Sequence, residues 1–180
     1  NHQTQSDSSS WQIHCEKFCK EHNINFLCKS VEIKESGQGY EAAARSARLD
    51  IFNAFDKATV IILGHHLDDQ VETVFFRVLR GTGLKGLTGM QRHPKIKDKD
   101  FIRPLLHLTE EEIFKQAIEY KLSFIEDQSN TDNAYSRNFL RNEIIPQISK
   151  RWPGAKKNTA RMANLLAKQS SLYHRFLLEK

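Results

Sequence analysis

Apolar and polar positions along the chain follow helical and strand periods in turn. From Leu67 onward, Val71, Val74, Phe75, Val78 and Leu79 recur at the i, i+3, i+4, i+7, i+8 spacing of a helix with one buried face. Asp69 and Glu72 stand three apart and share a different face of it. Immediately upstream, Val60 to Leu63 is a short apolar, partly β-branched run that reads as a strand buried on both faces, as in a parallel sheet, and Gly64 ends it.

The same pattern extends to either side. Ser8 to Asn23 predicts a helix with Trp11, Cys15, Phe18 and Cys19 on one side, and Phe26 to Ile33 a strand, followed by a turn at Ser36-Gly37-Gln38-Gly39. A second helix runs from about Tyr40 to Phe55, burying Tyr40, Ala43, Ala44, Ala47, Ile51 and Phe55, with Arg45 and Arg48 off that stripe and Glu41 placed to pair with Arg45. After the Leu67 helix stops at Arg80-Gly81-Thr82-Gly83, a glycine-spaced loop continues through Lys85, Gly86, Gly89, Gln91 and Arg92. Such a loop can bring backbone amides to a phosphate, but it matches neither a Walker pattern nor GxGxxG.

Lys95 to Asp100 reads as an exposed charged turn, and Phe101 to Leu106 as a short strand with Pro104 at its end or on an edge. Thr109 and Glu112 form a capping box that starts a helix to about Tyr120. Leu122 to Ile125 is a brief extended piece and Glu126 to Asn133 a polar loop. A helix from Tyr135 carries Arg137 and Arg141, and Pro146 kinks or ends it. Beyond the break at Arg151-Trp152-Pro153-Gly154, an amphipathic helix places Met162, Leu165, Leu166, Leu172, Tyr173, Phe176 and Leu177 on its apolar side. Strands alternating with helices predict an α/β, Rossmann-like domain with a mostly parallel sheet, over residues 1–134, followed by a helical linker over 135–180.

Composition adds bounds. The 180 residues are 39% hydrophobic and 27% charged, ordinary for a globular domain with at most an appendage. No apolar run approaches the roughly 20 residues of a membrane helix and no signal pattern opens the chain, so the cytoplasm is the default compartment. Cys15, Cys19 and Cys28 form no CxxC pair; with His14 or His22 the first two make only a thin metal-ligand set, and reduced thiols are the simpler reading. The net charge of +5 permits contact with a polyanion, and Lys150, Arg151, Lys156, Lys157, Arg161 and Lys168 make the carboxyl end basic. That basic end follows a nucleic acid backbone or forms the solvated side of a linker helix. A homodimer is compatible with the sequence.

The chemistry concentrates in Gly64-His65-His66-Leu67-Asp68-Asp69-Gln70-Val71-Glu72-Thr73, where two histidines and three carboxylates meet at the carboxyl end of a strand. Acidic residues in a first helical turn commonly just complement the helix dipole. Their convergence with two histidines at the edge where open α/β sheets bind ligands points to chemistry. Carboxylates there can hold an ammonium or a magnesium ion, and arginines a phosphate or carboxylate.

This string resembles the GHHxDDxxET signature of PP-loop ATP pyrophosphatases that modify tRNA, an adenine nucleotide alpha hydrolase-like fold. Gly39-Tyr40-Glu41-Ala42-Ala43-Ala44-Arg45, Arg80-Gly81-Thr82-Gly83, Ile102-Arg103-Pro104-Leu105-Leu106, Asp127-Gln128-Ser129-Asn130 and Ser136-Arg137-Asn138-Phe139-Leu140-Arg141 resemble its tRNA(Ile)-lysidine synthetase branch. The related tRNA cytidine 2-thiolation branch is expected to carry CxxC pairs, which are absent here. A non-catalytic tRNA-binding module is the alternative from another class.

The resemblance implies ATP-dependent attachment of free lysine to C2 of the wobble cytidine in a tRNA(Ile) with a CAU anticodon, through an adenylated intermediate. On that basis Asp69, Glu72, His65, Arg45 and Arg137 are expected to be catalytic. Asp69, Glu72 and Arg137 would bind substrate, Arg45 and His65 ATP, and Asp69 a Mg2+ ion. Lys85, Arg141, Lys156 and Lys157 are expected to contact nucleic acid. The family's SGGxDS phosphate loop is not in the sequence and is expected upstream of residue 1, and the carboxyl-terminal tRNA-binding domains are largely missing, so the segment alone is not expected to hydrolyse ATP efficiently.

Overall fold

The computed structural model describes residues 8–31, 40–55 and 60–178. The expected turn at Ser36 to Gly39 and the end of the expected strand at Glu32 and Ile33 lie outside the described residues, as does the Glu41 side chain. Two compact units divide the chain, Asn1–Ala58 and Thr59–Lys180. The division therefore falls at residue 58, and the helices after residue 135 are part of the second unit.

In the first unit, α1 spans Ser8–Glu21 and α2 spans Tyr40–Asn53. Helix α1 is closed by Asn23, whose φ of 55° is the left-handed conformation asparagine tolerates, with the Ile24 amide donating to the Cys19 carbonyl at 2.8 Å. The expected strand from Phe26 is irregular through Val31, because a strand needs a hydrogen-bonded neighbour and none pairs with it among the described residues. Ala44 is buried on α2, as its stripe predicts, and the Lys29 ammonium lies 5.5 Å from the centre of the Phe55 ring.

The second unit holds a three-stranded sheet in the order β1-β3-β2, with β1 at Val60–Ile62, β2 at Lys95–Ile96 and β3 at Lys99–Ile102. β1 runs parallel to β3, Ile61 opposite Phe101, and β2 turns back on β3 as an antiparallel hairpin through Lys97 at φ 54°. The segment expected as a free charged turn is thus a hairpin, and β3 ends before Pro104, which has no N–H for a ladder. Phe101 is fully buried, but Val60 and Ile62 are 46% and 70% exposed, contrary to a strand covered on both faces. Strand alternation turns these two side chains away from Ile61, to an exposed face.

Helix α3, Leu67–Leu79, is the axis of the unit. It packs against α4 (Leu84–Leu87), α6 (Ser136–Phe139), a π turn over Leu140–Ile144, and α8 (Ala155–Leu178). Leu67, Val71, Leu140 and Ile145 form the core, joined by Phe75, Phe76, Ile144 and Ala160. Val78 and Leu79 continue the apolar spacing beyond the core and are exposed. Helix α5, Glu110–Glu119, starts at the expected capping box: Glu112 N–H donates to Thr109 Oγ1 at 3.1 Å and Thr109 N–H to Glu112 Oε2 at 2.7 Å.

Pro146 neither ends nor breaks its helix. The π turn, in which the Ile145 amide reaches back to the Leu140 carbonyl, places Pro146 in the first turn of α7 (Ile145–Arg151), where a missing N–H costs nothing. In α8 the buried side is not the large-residue stripe. Ala163 is fully buried and Ala160 reaches the core, whereas Met162, Leu165, Leu172, Tyr173 and Phe176 face outward. Small side chains let the α3 and α8 backbones approach closely, so the alanine face wins the contact.

The glycine-spaced loop is strapped to α3. Gln70 pairs with Met90 as a second backbone would, accepting from its amide at 2.6 Å and donating to its carbonyl at 3.1 Å. Arg77, two turns along, donates Nη1 to the carbonyls of Gly86 and Gly89 at 3.1 and 2.9 Å. Gly89 has φ +61°, and a Cβ there would sit 2.6 Å from Gln70 Nε2. Gly89→Ala is therefore expected to cost roughly 1–3 kcal/mol. Thermal denaturation checks this; an unchanged midpoint would mean the strap is not tight.

Candidate active site at the amino end of α3

β1 delivers the chain to Gly64, and the next residues enter α3 with its free amides facing the same edge. His66 is the capping residue, and its amide donates to Asp69 Oδ2 at 2.9 Å. The carboxylates expected there do converge, but their surroundings differ.

Asp68 is buried. Its Oδ2 accepts the Glu110 amide at 2.8 Å, from the start of α5, and its Oδ1 accepts Lys156 Nζ at 2.6 Å, from α8. Burial opposes its charge, yet His66, Lys156 and the Glu110 amide together hold the carboxyl well below the usual range. His66 in turn lies 3.7 Å from Asp68 and 3.4 Å from Asp69, and its pKa is raised, chiefly by Asp68. Asp68 therefore ties three elements together.

Glu72 is only 1% exposed, and Arg141 closes on it from the π turn with a two-pronged contact, Nε to Oε1 at 2.6 Å and Nη2 to Oε2 at 3.0 Å. Burial raises the Glu72 pKa, and Arg141 opposes the rise. Desolvation lowers the Arg141 pKa, but Glu72, Asp69 and Glu110 together outweigh it and the pKa is raised. Asp69 differs from both neighbours. Its Oδ2 is used by the cap, and among the described residues its Oδ1 meets only Arg141 Nη2, at 3.6 Å. Of the three carboxylates it alone keeps an oxygen outside a short ion pair.

His65 is half-buried, and its Nδ1 accepts from Arg103 Nε at 3.3 Å, which leaves the proton of the neutral ring on Nε2. Arg103 is 3% exposed and is itself fixed by donating Nη1 to the Gln91 carbonyl at 2.7 Å. Arg103 carried no role from the sequence; its signal was its place in the Ile102-Arg103-Pro104-Leu105-Leu106 string.

The remaining expected residues come from other elements. Arg137, on α6, has its guanidinium 5.7 Å from the Phe76 ring centre, one turn along α3 from Glu72. Arg45 stands exposed on α2 in the first unit, and Lys85 is exposed on α4. Arg141 and Lys156, expected to meet nucleic acid, are engaged by Glu72 and Asp68, and Lys157 approaches Glu112 at 3.4 Å. Arg141 and Lys156 are thus the cationic halves of pairs with buried carboxylates, whereas Lys85 and Lys157 stay exposed. No group of three His, Cys, Asp or Glu side chains suited to a metal occurs among the described residues, which includes Cys15, Cys19 and Cys28. No described helix is long and apolar enough to cross a membrane.

Comparison with known proteins gives the family. The PP-loop domain family matches residues 1–148. The chain belongs to the PP-loop family. Among curated relatives, the tRNA(Ile)-lysidine synthase of Histophilus somni (strain 129Pt) is 39% identical over 98% of this chain and 42% of its own. That of Enterobacter sp. (strain 638) is 39% identical over 100% and 42%, and that of Legionella pneumophila (strain Lens) 40% over 91% and 38%. The chain thus spans about two fifths of the length of these relatives. A solved structure, the U34-tRNA thiolase NcsA from Methanococcus maripaludis with its [4Fe-4S] cluster, superposes with a TM-score of 0.70 over 93% of this chain and 60% of its own, at 21% identity. This establishes that the PP-loop domain and the thiolase share a fold.

Two outcomes follow from the ion pairs. Arg141→Met leaves a buried carboxylate without its cation and should destabilise the PP-loop domain by roughly 3 kcal/mol in denaturant unfolding, with part recovered in Glu72→Gln/Arg141→Met. Asp68, with its pKa depressed, stabilises the fold above the ordinary aspartate pKa of about 3.9 and loses that contribution as pH falls below it toward its own lower value. His66, with its pKa raised, contributes below about pH 6.5 and loses that contribution as pH rises through its folded value. Asp68→Asn should flatten the acid limb of the stability profile; an unchanged limb would mean that another group controls it.

Proposed function

We propose that the chain is the lysine-transferring part of a tRNA(Ile)-lysidine synthetase. ATP activates C2 of the wobble cytidine of a CAU anticodon as an adenylate, releasing pyrophosphate. An amino group of free lysine then attacks C2, AMP leaves, and a proton is lost. The observation that carries the reading is Asp69: beside two carboxylates whose charges are met inside the protein, it keeps an accepting oxygen at the edge of the sheet. The similarity to curated lysidine synthases over nearly the whole chain supports it.

In this reading Asp69 accepts the ammonium of lysine and holds the attacking amine near C2, replacing an encounter from solution by a local one. Glu72 acts through Arg141, which it positions against Asp69, so its contribution is to shape the acceptor. His65, with its Nε2–H directed by the Arg103 contact, donates to the substrate or the activated base. Arg137 and Arg45 offset phosphate charge as the adenylate forms and collapses. For Mg2+, Asp69 is one open carboxylate, a fit only where ATP phosphates and water supply the remaining ligands; the ion would neutralise phosphate charge.

Lysine incorporation into a tRNA(Ile) CAU transcript, with ATP and the full-length protein, tests the assignment. Asp69→Asn is expected to reduce lysine transfer by at least about 100-fold while leaving thermal stability near that of the parent, as loss of one electrostatic contact to the reacting group typically does. A variant that forms lysidine at the parent rate would overturn the role of Asp69. A parent that adenylates tRNA but never takes up lysine would overturn the activity.

A further inference from the structure

We infer that Gln70 is a positioning residue for His65, acting through the main chain of the glycine-spaced loop and through Arg103. Gln70 is only 4% exposed, and both ends of its amide are spent on one residue: Oε1 accepts the Met90 amide at 2.6 Å and Nε2 donates to the Met90 carbonyl at 3.1 Å. A glutamine used in this way takes the place of a neighbouring strand and fixes the peptide on each side of Met90. Gly89 makes the approach possible, since a Cβ there would lie 2.6 Å from Gln70 Nε2.

The next carbonyl along the loop is that of Gln91, and it accepts Arg103 Nη1 at 2.7 Å. One residue further, the Arg92 carbonyl accepts the Arg103 amide at 3.0 Å. The Gln91 peptide is therefore clamped between a contact to α3 on one side and a contact to the residue after β3 on the other. A guanidinium is a planar fork, so fixing Nη1 also fixes the direction of Nε, which reaches His65 Nδ1 at 3.3 Å. The relay starts one residue after Asp69 and ends four residues before it. The helix that carries the open carboxylate thus also sets the histidine ring.

Loop anchoring explains part of this arrangement, and Arg77 already supplies it at the carbonyls of Gly86 and Gly89. It does not explain why a second strap falls one residue before the carbonyl that holds Arg103. Nor does it explain a buried amide at this point of α3, where an apolar side chain would carry no desolvation cost. The two neutral forms of a histidine present opposite functions at Nε2, a donor in one and an acceptor in the other. An arginine can only donate, so its contact with Nδ1 selects the form with the proton on Nε2, and loss of that contact releases both forms. The role of Gln70 in the reaction rests on the proposed action of His65 as a donor, whereas its effect on the ring can be read without any reaction.

Nuclear magnetic resonance of isotopically labelled histidine rings in the full-length protein, with His65 assigned by comparison with His65→Gln, reads the tautomer, and lysine transfer to a tRNA(Ile) CAU transcript reads the rate. Gln70→Leu is expected to mix the two neutral forms of His65, as Arg103→Lys does, and to lower kcat for lysine transfer about tenfold with the lysine KM within about twofold, since a small misplacement of a reacting group acts on the rate. Arg77→Met, which loosens the same loop at its other end, is expected to lower the melting temperature while keeping the parent ring signal and kcat. Gln70→Glu sets a second oxygen against the Met90 carbonyl and is read in the same way where Gln70→Leu does not fold. A folded Gln70 variant with the parent ring signal would overturn the relay. So would an Arg77→Met protein whose ring signal and kcat change as much as those of Gln70→Leu. A mixed ring signal in Gln70→Leu with lysine transfer at the parent rate, or in a protein that transfers no lysine at all, would uphold the relay and overturn the proposed role of His65.

Discussion

Two carboxylates buried in the first turns of α3 are the constraint on which the second unit depends. A carboxylate removed from water is tolerated only with a cation and hydrogen bonds in place. Asp68 obtains them from Lys156 and from the amide that starts α5; Glu72 obtains them from Arg141. The cations belong to helices that follow more than sixty residues later, so neutralising α3 requires docking the carboxyl-terminal helices on it. The alanine face of α8 then makes close packing possible, and the large apolar residues of that helix are left outside.

The same pairings sort the acids by task. Asp68 and Glu72 hold structure together, and Asp69, between them in sequence, is left with an oxygen that no short ion pair consumes. The open carboxylate is thereby flanked by two whose charges the fold's own cations meet. Arg103 serves His65 in a similar way, fixing one ring nitrogen from behind so that the other carries the proton. In the proposed reaction the groups that touch substrate are few, and the larger number set their direction.

Along α3 the charge reverses from acidic to basic within one helix face. Gln70 and Arg77 spend the neighbouring face on strapping the loop from Gly81 to Met90, which is why Gly89 serves close packing against α3. In each unit strand character in the sequence also goes unused: Val60 and Ile62 of β1 are exposed, and the segment from Phe26 pairs with no described strand.

Local signals were legible in the sequence because their causes are local. The 3.6-residue period places α3, Thr109 and Glu112 cap α5, Pro104 closes β3, and the GHHxDDxxET string marks the strand end and the PP-loop family. Periodicity and capping act over four to eight residues, and the motif is contiguous. What only the tertiary structure decided is which charges meet. Arg141 and Lys156 look alike as surface cations in the sequence, and they are separated from Glu72 and Asp68 by 69 and 88 positions. Burial, which turns a carboxylate from a solvated cap into a group that must be neutralised, depends on what packs over it. No period or spacing along the chain records that.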